Sequence, residues 1–129
     1  HGLALKPGKP TILGYDRPTQ TLLAGLPGHP AAAMLVFRLV IGWLWRTATG
    51  EKEPYVRTAE ISTNLPAAPG KLTCQLVNLA RRDEGSLAAI PIFGRSGLIS
   101  TLSGADGYIL IEENKEGLKK GERVSVYEI

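Results

Sequence analysis

The sequence predicts an α+β fold in which the strand–loop–helix part of an incomplete α/β domain is followed by a small β-barrel. Residues 1–50 contain short apolar runs and then a long apolar segment that starts directly after "PGHP". Residues 51–129 contain short strand-like segments separated by Gly, Pro and Asn turns, a pattern typical of small barrels or sandwiches. The polar stretch "TGEKEP" separates the two patterns. We therefore predict two domains, residues 1–50 and residues 51–129.

The N-terminal elements begin with "HGLALKPGKPTILG", which predicts a short strand, a turn and a second strand. Pro7 and Pro10 fix φ and remove two backbone donors, so the turn between Lys6 and Lys9 should be stiff. The run "QTLLAGL" predicts a third strand, buried on both faces. Because the chain starts at His1 and enters a patterned segment at once, we expect it to be a piece of a longer protein.

A helix is predicted to start at Pro30, since proline suits the first helical position. Its apolar run, residues 31–45, is shorter than the ~20 residues that a membrane span needs, and Arg38 interrupts it. We therefore predict a buried helix and no membrane partner. A helix that is apolar on most sides must be covered by further sequence or by a partner subunit. The side chains expected to associate are those of Met34, Phe37, Ile41, Leu44 and Trp45.

Five strands are predicted in the second domain, at residues 55–62, 71–79, 87–93, 108–112 and 122–129. The alternation of Leu72, Cys74 and Leu76 with polar residues has the period of a strand. The stretch "GRSGLISTLSGADG" predicts a short helical turn that is capped by Ser96 and ends near Gly104.

The composition is that of a globular protein, with 43% hydrophobic and 21% charged residues. The net charge of +3 is concentrated in the first fifty residues, which contain five Lys and Arg against one Asp. No long Lys/Arg run is present, so we expect a local anion site and no nucleic-acid partner.

Cys74 is the sole cysteine, which excludes a disulfide within the chain and a paired-cysteine metal clamp. We expect a buried structural thiol, weakly favouring a reducing compartment. The sequence shows no signal-peptide pattern, no Ser–His–Asp spacing and no metal-binding cluster. The residues therefore predict binding better than they predict a reaction.

The candidate anion site combines three donor-rich elements. The first is Lys6 with Lys9 on the proline-stiffened turn, which is preorganised for an anion. The second is the "GLPGHP" turn, where a helix start offers free N–H groups and roughly half a positive charge. The third is "FGRSG", with a guanidinium and a hydroxyl. The residues are Lys6, Lys9, Pro27, Gly28, Pro30, Arg95 and Ser96.

Each element alone also has a plain structural interpretation. The lysines could mark a solvated hairpin tip, and Pro27 and Gly28 could form an ordinary turn. Arg95 and Ser96 could simply cap a helical turn, and His29 is a candidate weak cap or ligand contact, the cap being favoured. Only the combination predicts that the two N-terminal turns converge on one anion.

The pairing of "KPGKP" with "GLPGHPAAAMLVF" resembles the C-terminal part of the MoeA family, the molybdopterin molybdenumtransferases, which include the E domain of gephyrin. The tail segments "SGLISTLSGADGYILI" and "LKKGERVSVYEI" resemble the end of the same family. The resemblance covers essentially the whole chain. It implies a cytoplasmic, dimeric protein that inserts molybdenum from molybdate into adenylylated molybdopterin with Mg²⁺, whose ligands lie outside this chain.

The resemblance also implies roles for single residues. Lys6 and Lys9 would face the pterin phosphate or molybdate, while Pro27, Gly28 and Pro30 would shape the pocket floor. Ser96 matches a serine that lines the cleft between two domains.

Three departures from the family pattern bear on activity. His29 replaces the usual asparagine, and "GKLTCQL" offers Lys71 and Leu76 where the family has two arginines. The family's upstream aspartates and N-terminal domains precede His1. A non-catalytic scaffold or interaction module on the same fold is therefore the alternative, and an unrelated phosphate-binding module is a third interpretation.

Overall fold

The computed structural model describes residues 2–94 and 102–129, which form a β-barrel and an N-terminal segment packed on its outside. The N-terminal segment contains β1 (Leu5–Lys6), β2 (Ile12–Asp16), β3 (Thr21–Gly25) and a continuous helix, Pro30–Thr49. The remaining strands are β4 (Val56–Ile61), β5 (Leu65–Pro66), β6 (Leu72–Arg81), β7 (Leu87–Pro91), β8 (Gly107–Ile111), β9 (Gly117–Leu118) and β10 (Arg123–Glu128). The α+β class with a terminal barrel is thus confirmed.

The barrel is closed by five strands in the order β6, β7, β4, β10, β8 and back to β6. These are the five predicted strands, and each lies within about two residues of its predicted limits. Closure depends on the length of β6, which pairs with β8 over residues 73–77 and with β7 over residues 77–81. A closed barrel leaves no free sheet edge among these strands except where pairing along β6 is interrupted.

The alternating pattern of β6 and β8 places side chains in two separate clusters. Val77 and Ile109 point into the barrel, where both are fully buried. Cys74, Leu76 and Tyr108 point outward and pack against the N-terminal segment. Because successive residues of a strand face opposite sides, β6 and β8 contribute side chains both to the barrel core and to the outer surface on which the helix packs.

The N-terminal segment is joined to the barrel by β1 (Leu5–Lys6), which pairs in parallel with Leu72 and Thr73 of β6. The "KPGKP" turn follows directly, and its Lys6–Pro7 peptide is cis. The buried Thr11 hydroxyl donates to the Gly8 carbonyl at 2.7 Å, which closes the turn. The predicted strand–turn–strand order is confirmed, although the two strands pair with different partners.

The hairpin formed by β2 (Ile12–Asp16) and β3 (Thr21–Gly25) is exposed along almost its whole length. The prediction that "QTLLAGL" is buried on both faces is therefore wrong. Leu22 and Leu23 are about half exposed, because β3 pairs with β2 alone among the described strands and both leucines lie outside the two hydrophobic clusters.

The helix starts at Pro30, as predicted, and ends at Gly50, which adopts a left-handed C-cap. Its first part, α1 (Pro30–Val36), is buried through Ala31, Leu35 and neighbours. A π-helical turn follows, and then α2 (Gly42–Thr49), in which Trp43 and Trp45 are exposed. The prediction of a buried helix is wrong for this second half, because α2 contains no buried residue.

The continuous helix of twenty residues is, by length and composition, able to cross a membrane. The argument from length against a span therefore fails, since the helix exceeds its apolar run. Core helices of soluble proteins can have the same length and composition.

The end of the helix is linked to the following stretch by an ion pair. Arg46 Nε lies 3.4 Å from the carboxylate of Glu53.

Candidate functional site

A cavity of about 260 Å³ lies between the "KPGKP" turn, the start of α1 and the outer edge of β6. We call it the junction pocket. Its apolar lining includes Pro7, Ala31 and Leu35 from the N-terminal segment, and Leu76 and Phe93 from the barrel side. Both parts of the chain therefore build it.

The junction pocket exists because the outer edge of β6 is only partly paired. At one end β1 pairs with Leu72 and Thr73, and at the other β7 begins to pair at Val77. Between them, no strand in the described part of the chain pairs with residues 74–76 on this edge, which is opposite the edge that pairs with β8, and the cavity opens there. The gap follows from the two-residue length of β1, which stops short of β7.

The far wall of the pocket is held by a side-chain bridge. The Gln75 amide donates through Nε2 to the Ile92 carbonyl at 2.7 Å and to the Leu76 carbonyl at 3.0 Å. The Ile92 N–H in turn donates to the Leu76 carbonyl at 2.9 Å. These bonds carry the chain past the end of β7 and set the position of Phe93 and Gly94 at the pocket.

Of the two N-terminal turns that the sequence predicted to converge, the "KPGKP" turn lines this cavity, whereas no residue of "GLPGHP" does and only the adjoining helix start reaches it. Lys6 lines it from the "KPGKP" turn, and Ala31, which directly follows Pro30, lines it from the helix start. Lys6 is the one charged side chain among the described residues of its lining. The pocket is thus mostly apolar with a cation at one wall, an arrangement common in sites for organic anions.

The other predicted site residues do not line the junction pocket or lie outside the described residues. Lys9 is exposed and lies outside the pocket lining. Pro27 is buried, whereas Gly28 is exposed and a Cβ at Gly28 would meet nothing within 4 Å. Arg95 and Ser96 fall outside the described residues, although Gly94 immediately before them lines the pocket. The binding role of all these residues stays a prediction.

The N-cap of α1 is His29, whose backbone is extended and whose carbonyl accepts from the Ala33 N–H at 2.9 Å. Its side chain makes no capping hydrogen bond, so the imidazole cap that we favoured is wrong. A histidine ring does not reach the first N–H groups as readily as the short side chains that usually cap helices. The start of α1 therefore has no side-chain cap.

Two residues of the pocket lining that sequence reasoning did not single out are Gln75 and Phe93. Gln75 carried one signal, because it is a polar residue inside an apolar alternating run. Its partner Ile92 is seventeen residues away, and no local pattern relates the two. Phe93 stood at the end of a predicted strand and gave no signal at all.

Cys74 is buried, as predicted, and lies on the β6 edge beside the junction pocket. Burial raises the pKa of the Cys74 thiol far above its ordinary range, because the thiolate would lose its hydration. Burial likewise raises the pKa of the Tyr108 hydroxyl, whose ring stacks on Tyr127 at 5.4 Å between centroids. Both groups stay protonated at neutral pH.

We expect native Cys74 to react with iodoacetamide at pH 8 at least about tenfold more slowly than the urea-unfolded chain, because the thiolate is the reacting species. Mass spectrometry over time measures the difference directly, since the chain has one cysteine. Equal rates in the two states would show that the native thiol is accessible and that burial does not raise its pKa. The native rate should rise only when the pH passes well beyond the ordinary thiol pKa.

No group of three His, Cys, Asp or Glu side chains able to hold a metal ion occurs within residues 2–94 and 102–129. Mg²⁺ prefers carboxylate, carbonyl and water oxygens. The part of the chain that the structure describes therefore does not fit a Mg²⁺ site built on such side chains.

The chain was compared with known proteins in sequence and in structure. Residues 58–129 match the family model described as the MoeA C-terminal region, domain IV. A Methanocaldococcus jannaschii protein described as a molybdopterin biosynthesis protein is 36% identical over 129 residues, which cover 98% of this chain and 29% of that protein. A Synechocystis molybdopterin molybdenumtransferase is 27% identical, with coverages of 98% and 30%.

Among solved structures, a molybdopterin biosynthesis MoeA protein from Pyrococcus horikoshii superimposes with a TM-score of 0.81 at 32% sequence identity. The match covers 99% of this chain and 31% of that one. The chain thus spans about three tenths of the length of these relatives. With most of its residues matching the family model and the whole fold matching a MoeA structure, the chain belongs to the MoeA family and corresponds to its C-terminal portion.

Proposed function

We propose that this chain is the C-terminal part of a molybdenum cofactor biosynthesis protein that inserts molybdenum from molybdate into adenylylated molybdopterin. The observation that carries the proposal is that Lys6 and the start of α1 share the junction pocket with the barrel edge. Relatives named molybdopterin molybdenumtransferase support it. The activity, a cytoplasmic location and a homodimer are proposed for the complete protein, of which these relatives are longer examples.

The chemistry proposed for this chain is the positioning of anions. The Lys6 ammonium would pair with a phosphate or molybdate oxygen, and the N–H groups at the start of α1 would donate to the same or a neighbouring oxyanion. Donors that are fixed before the ligand arrives need little reorganisation when charge shifts between oxygens. No carboxylate or imidazole lines the described part of the pocket, so proton transfer is not assigned to it.

Mg²⁺ is proposed as the cofactor of the complete protein, with ligands outside the described residues of this chain. When bound, such an ion would neutralise oxyanion charge during transfer. The residues of the junction pocket would then contribute binding and orientation only.

The test is the double substitution Lys6→Ala with Lys9→Ala in the complete gene product that carries this chain. We expect molybdate and adenylylated molybdopterin to bind at least about tenfold more weakly, since charge-assisted hydrogen bonds contribute about 1.5–3 kcal/mol each when well formed. Molybdenum insertion should fall in parallel. Equilibrium dialysis measures ligand binding, and metal analysis measures the molybdenum that has been inserted.

A matched control is Lys119→Ala with Lys120→Ala, which removes two exposed lysines from a turn that does not line the pocket. The control should leave binding unchanged, and both double variants should keep the melting temperature. Normal molybdenum insertion by the Lys6 and Lys9 variant would remove the assigned role.

A non-catalytic scaffold is the second candidate function, and one observation favours it. Leu76, at the position where the family carries an arginine, is buried against the N-terminal segment and offers no guanidinium to the pocket. A complete gene product that binds molybdopterin but inserts no molybdenum, and that lacks the upstream aspartates, would support the scaffold over the enzyme.

A further inference from the structure

A second cavity, of about 410 Å³, lies between the middle of the long helix and the stretch that follows it. We call it the helix pocket. Side chains of the helix form one wall, and Glu51, Lys52 and Pro54 contribute to the other. Its volume is in the range of small-molecule sites. It shares no lining residue with the junction pocket, so it is a separate candidate site.

One face of the helix gives the helix pocket an apolar and partly aromatic wall. Phe37, Ile41 and Trp45 follow one another at intervals of four residues, and all three line the cavity. Phe37 is 50% exposed and Trp45 is 62% exposed. Because these rings lie in water beside a cavity, they are placed to contact the apolar body of a ligand.

The adjoining face of the helix brings two guanidinium groups to the same cavity. Arg38, Gly42 and Arg46 also follow one another at intervals of four residues and line the helix pocket. An added Cβ at Gly42 would lie 3.2 Å from Nη1 of Arg46. The Arg46 guanidinium therefore folds back over Gly42, into a space that a larger residue would narrow.

Arg46 has a hydrogen-bond donor to spare. Its Nε is buried but donates no hydrogen bond to any described residue. A carboxylate oxygen of Glu53 lies 3.4 Å from this Nε, an ion pair that lacks hydrogen-bond geometry. The Glu53 side chain is 79% exposed, whereas that of Arg46 is 21% exposed. Since an unsatisfied buried donor costs free energy, a ligand carboxylate with better geometry is expected to displace Glu53.

The helix pocket also coincides with the π-helical turn, residues 37–41. The Gly42 N–H donates to the Phe37 carbonyl, which closes this turn. Such turns are rare inside α-helices and occur frequently at functional sites. The irregular part of the helix is thus the part that borders the cavity.

We propose that the helix pocket binds a small aromatic carboxylate. The guanidinium groups of Arg38 and Arg46 hold the carboxylate, and Trp45 packs against the ring. A guanidinium offers parallel donors that match the two oxygens of a carboxylate. An inorganic anion would leave the apolar wall in water, and a neutral aromatic molecule would leave the Arg46 donor unsatisfied. The inference does not depend on molybdenum insertion or on the junction pocket.

The experiment measures binding of three probes to the complete gene product that carries this chain, by ligand-observed NMR at neutral pH. The probes are 3-phenylpropionate, its uncharged amide, and propionate, which has the charge but no ring. We expect 3-phenylpropionate to bind at least about fivefold more tightly than either of the others, because only this probe satisfies both walls.

Arg46→Gln should weaken 3-phenylpropionate binding at least about fivefold and leave binding of the amide unchanged. The matched control is Arg17→Gln, which removes an exposed guanidinium outside the pocket lining and should change neither affinity. Gly42→Ala guards against a folding defect. Its added methyl group should displace the Arg46 guanidinium and weaken the acid, while the melting temperature should not fall, since alanine favours a helix.

The ring contact has its own matched pair on the same helix. Trp45→Leu should weaken 3-phenylpropionate about threefold to tenfold, because it removes the exposed ring of the pocket wall. Trp43→Leu removes a ring that is 54% exposed but lies outside the pocket lining, and it should have no effect.

Glu53→Gln gives the sharpest test, because its expected effect has the opposite sign. Without the competing carboxylate, the acid should bind about twofold to fivefold more tightly, a gain that damage to the fold would not produce. The proposal is overturned if 3-phenylpropionate does not bind, if its amide binds equally well, or if Glu53→Gln leaves binding unchanged or weaker.

Discussion

Replacing Ile109 by alanine will lower the free energy of unfolding by about 2–5 kcal/mol, the range for large-to-small changes in well-packed cores. Ile109 is fully buried at the centre of β8 and belongs to the barrel cluster. Its strand is bonded on both sides, to β6 and to β10, so the backbone cannot move inward to fill the cavity. Urea unfolding followed by circular dichroism measures the loss.

Ile90→Ala is the matched control for this change. It removes the same atoms from a barrel strand, but Ile90 is 42% exposed. Its cost should be clearly smaller than the cost at Ile109, because a larger part of the Ile90 side chain already lies in water. A loss at Ile109 no larger than the loss at Ile90 would show that the inside of the barrel is not the packed core described here.

The strands of the barrel could be predicted because their signals, the alternation of apolar residues and the turn residues, lie within short stretches of the sequence. In β6 the alternation of Leu72, Cys74 and Leu76 with polar residues gives the strand period directly. Gly and Asn turns mark where each strand ends. Closure itself has no local signal, since it depends on β6 being long enough to pair with β7 and β8 at different heights.

Burial could not be predicted from hydrophobicity alone. Leu22, Leu23 and Trp45 are as apolar as core residues, yet all are exposed. The burial of a side chain depends on which element packs against it, and α1 contains buried residues whereas α2 contains none. The π-helical turn at Phe37–Ile41 has no sequence signal that we recognised and alters the spacing of side chains beyond it.

The convergence of the two N-terminal turns on one anion was predicted from their chemistry, not from their positions in space; in the structure, Lys6 and Ala31 line the same pocket. The pairing of β1 with β6 joins residues more than sixty positions apart, and no short sequence pattern predicts it. The gap at residues 74–76, which makes the pocket, is a product of that pairing. Sequence reasoning thus found the charged wall and missed Gln75 and Phe93 on the opposite one.

Replacing Gly8 by alanine will destabilise the N-terminal segment and weaken anion binding together. Gly8 has φ of +130°, a region that other residues avoid at a cost of about 1–3 kcal/mol. A Cβ there would lie 2.6 Å from Cγ2 of the buried Val36 and 3.0 Å from Cδ2 of Leu5. Overpacking of this kind costs a further about 1–3 kcal/mol. The melting temperature and molybdate affinity of the variant measure both effects.

Gly28→Ala separates the two effects because it alters the other glycine-containing turn. Gly28 has no positive φ, and an added Cβ would meet nothing within 4 Å, so stability should change by less than about 0.5 kcal/mol. If the helix start receives an oxyanion, the new methyl group should still weaken molybdate binding. A Gly8 variant as stable as the Gly28 variant would mean that the turn does not press on α1, and Lys6 would then lose the rigid support on which the proposed site depends.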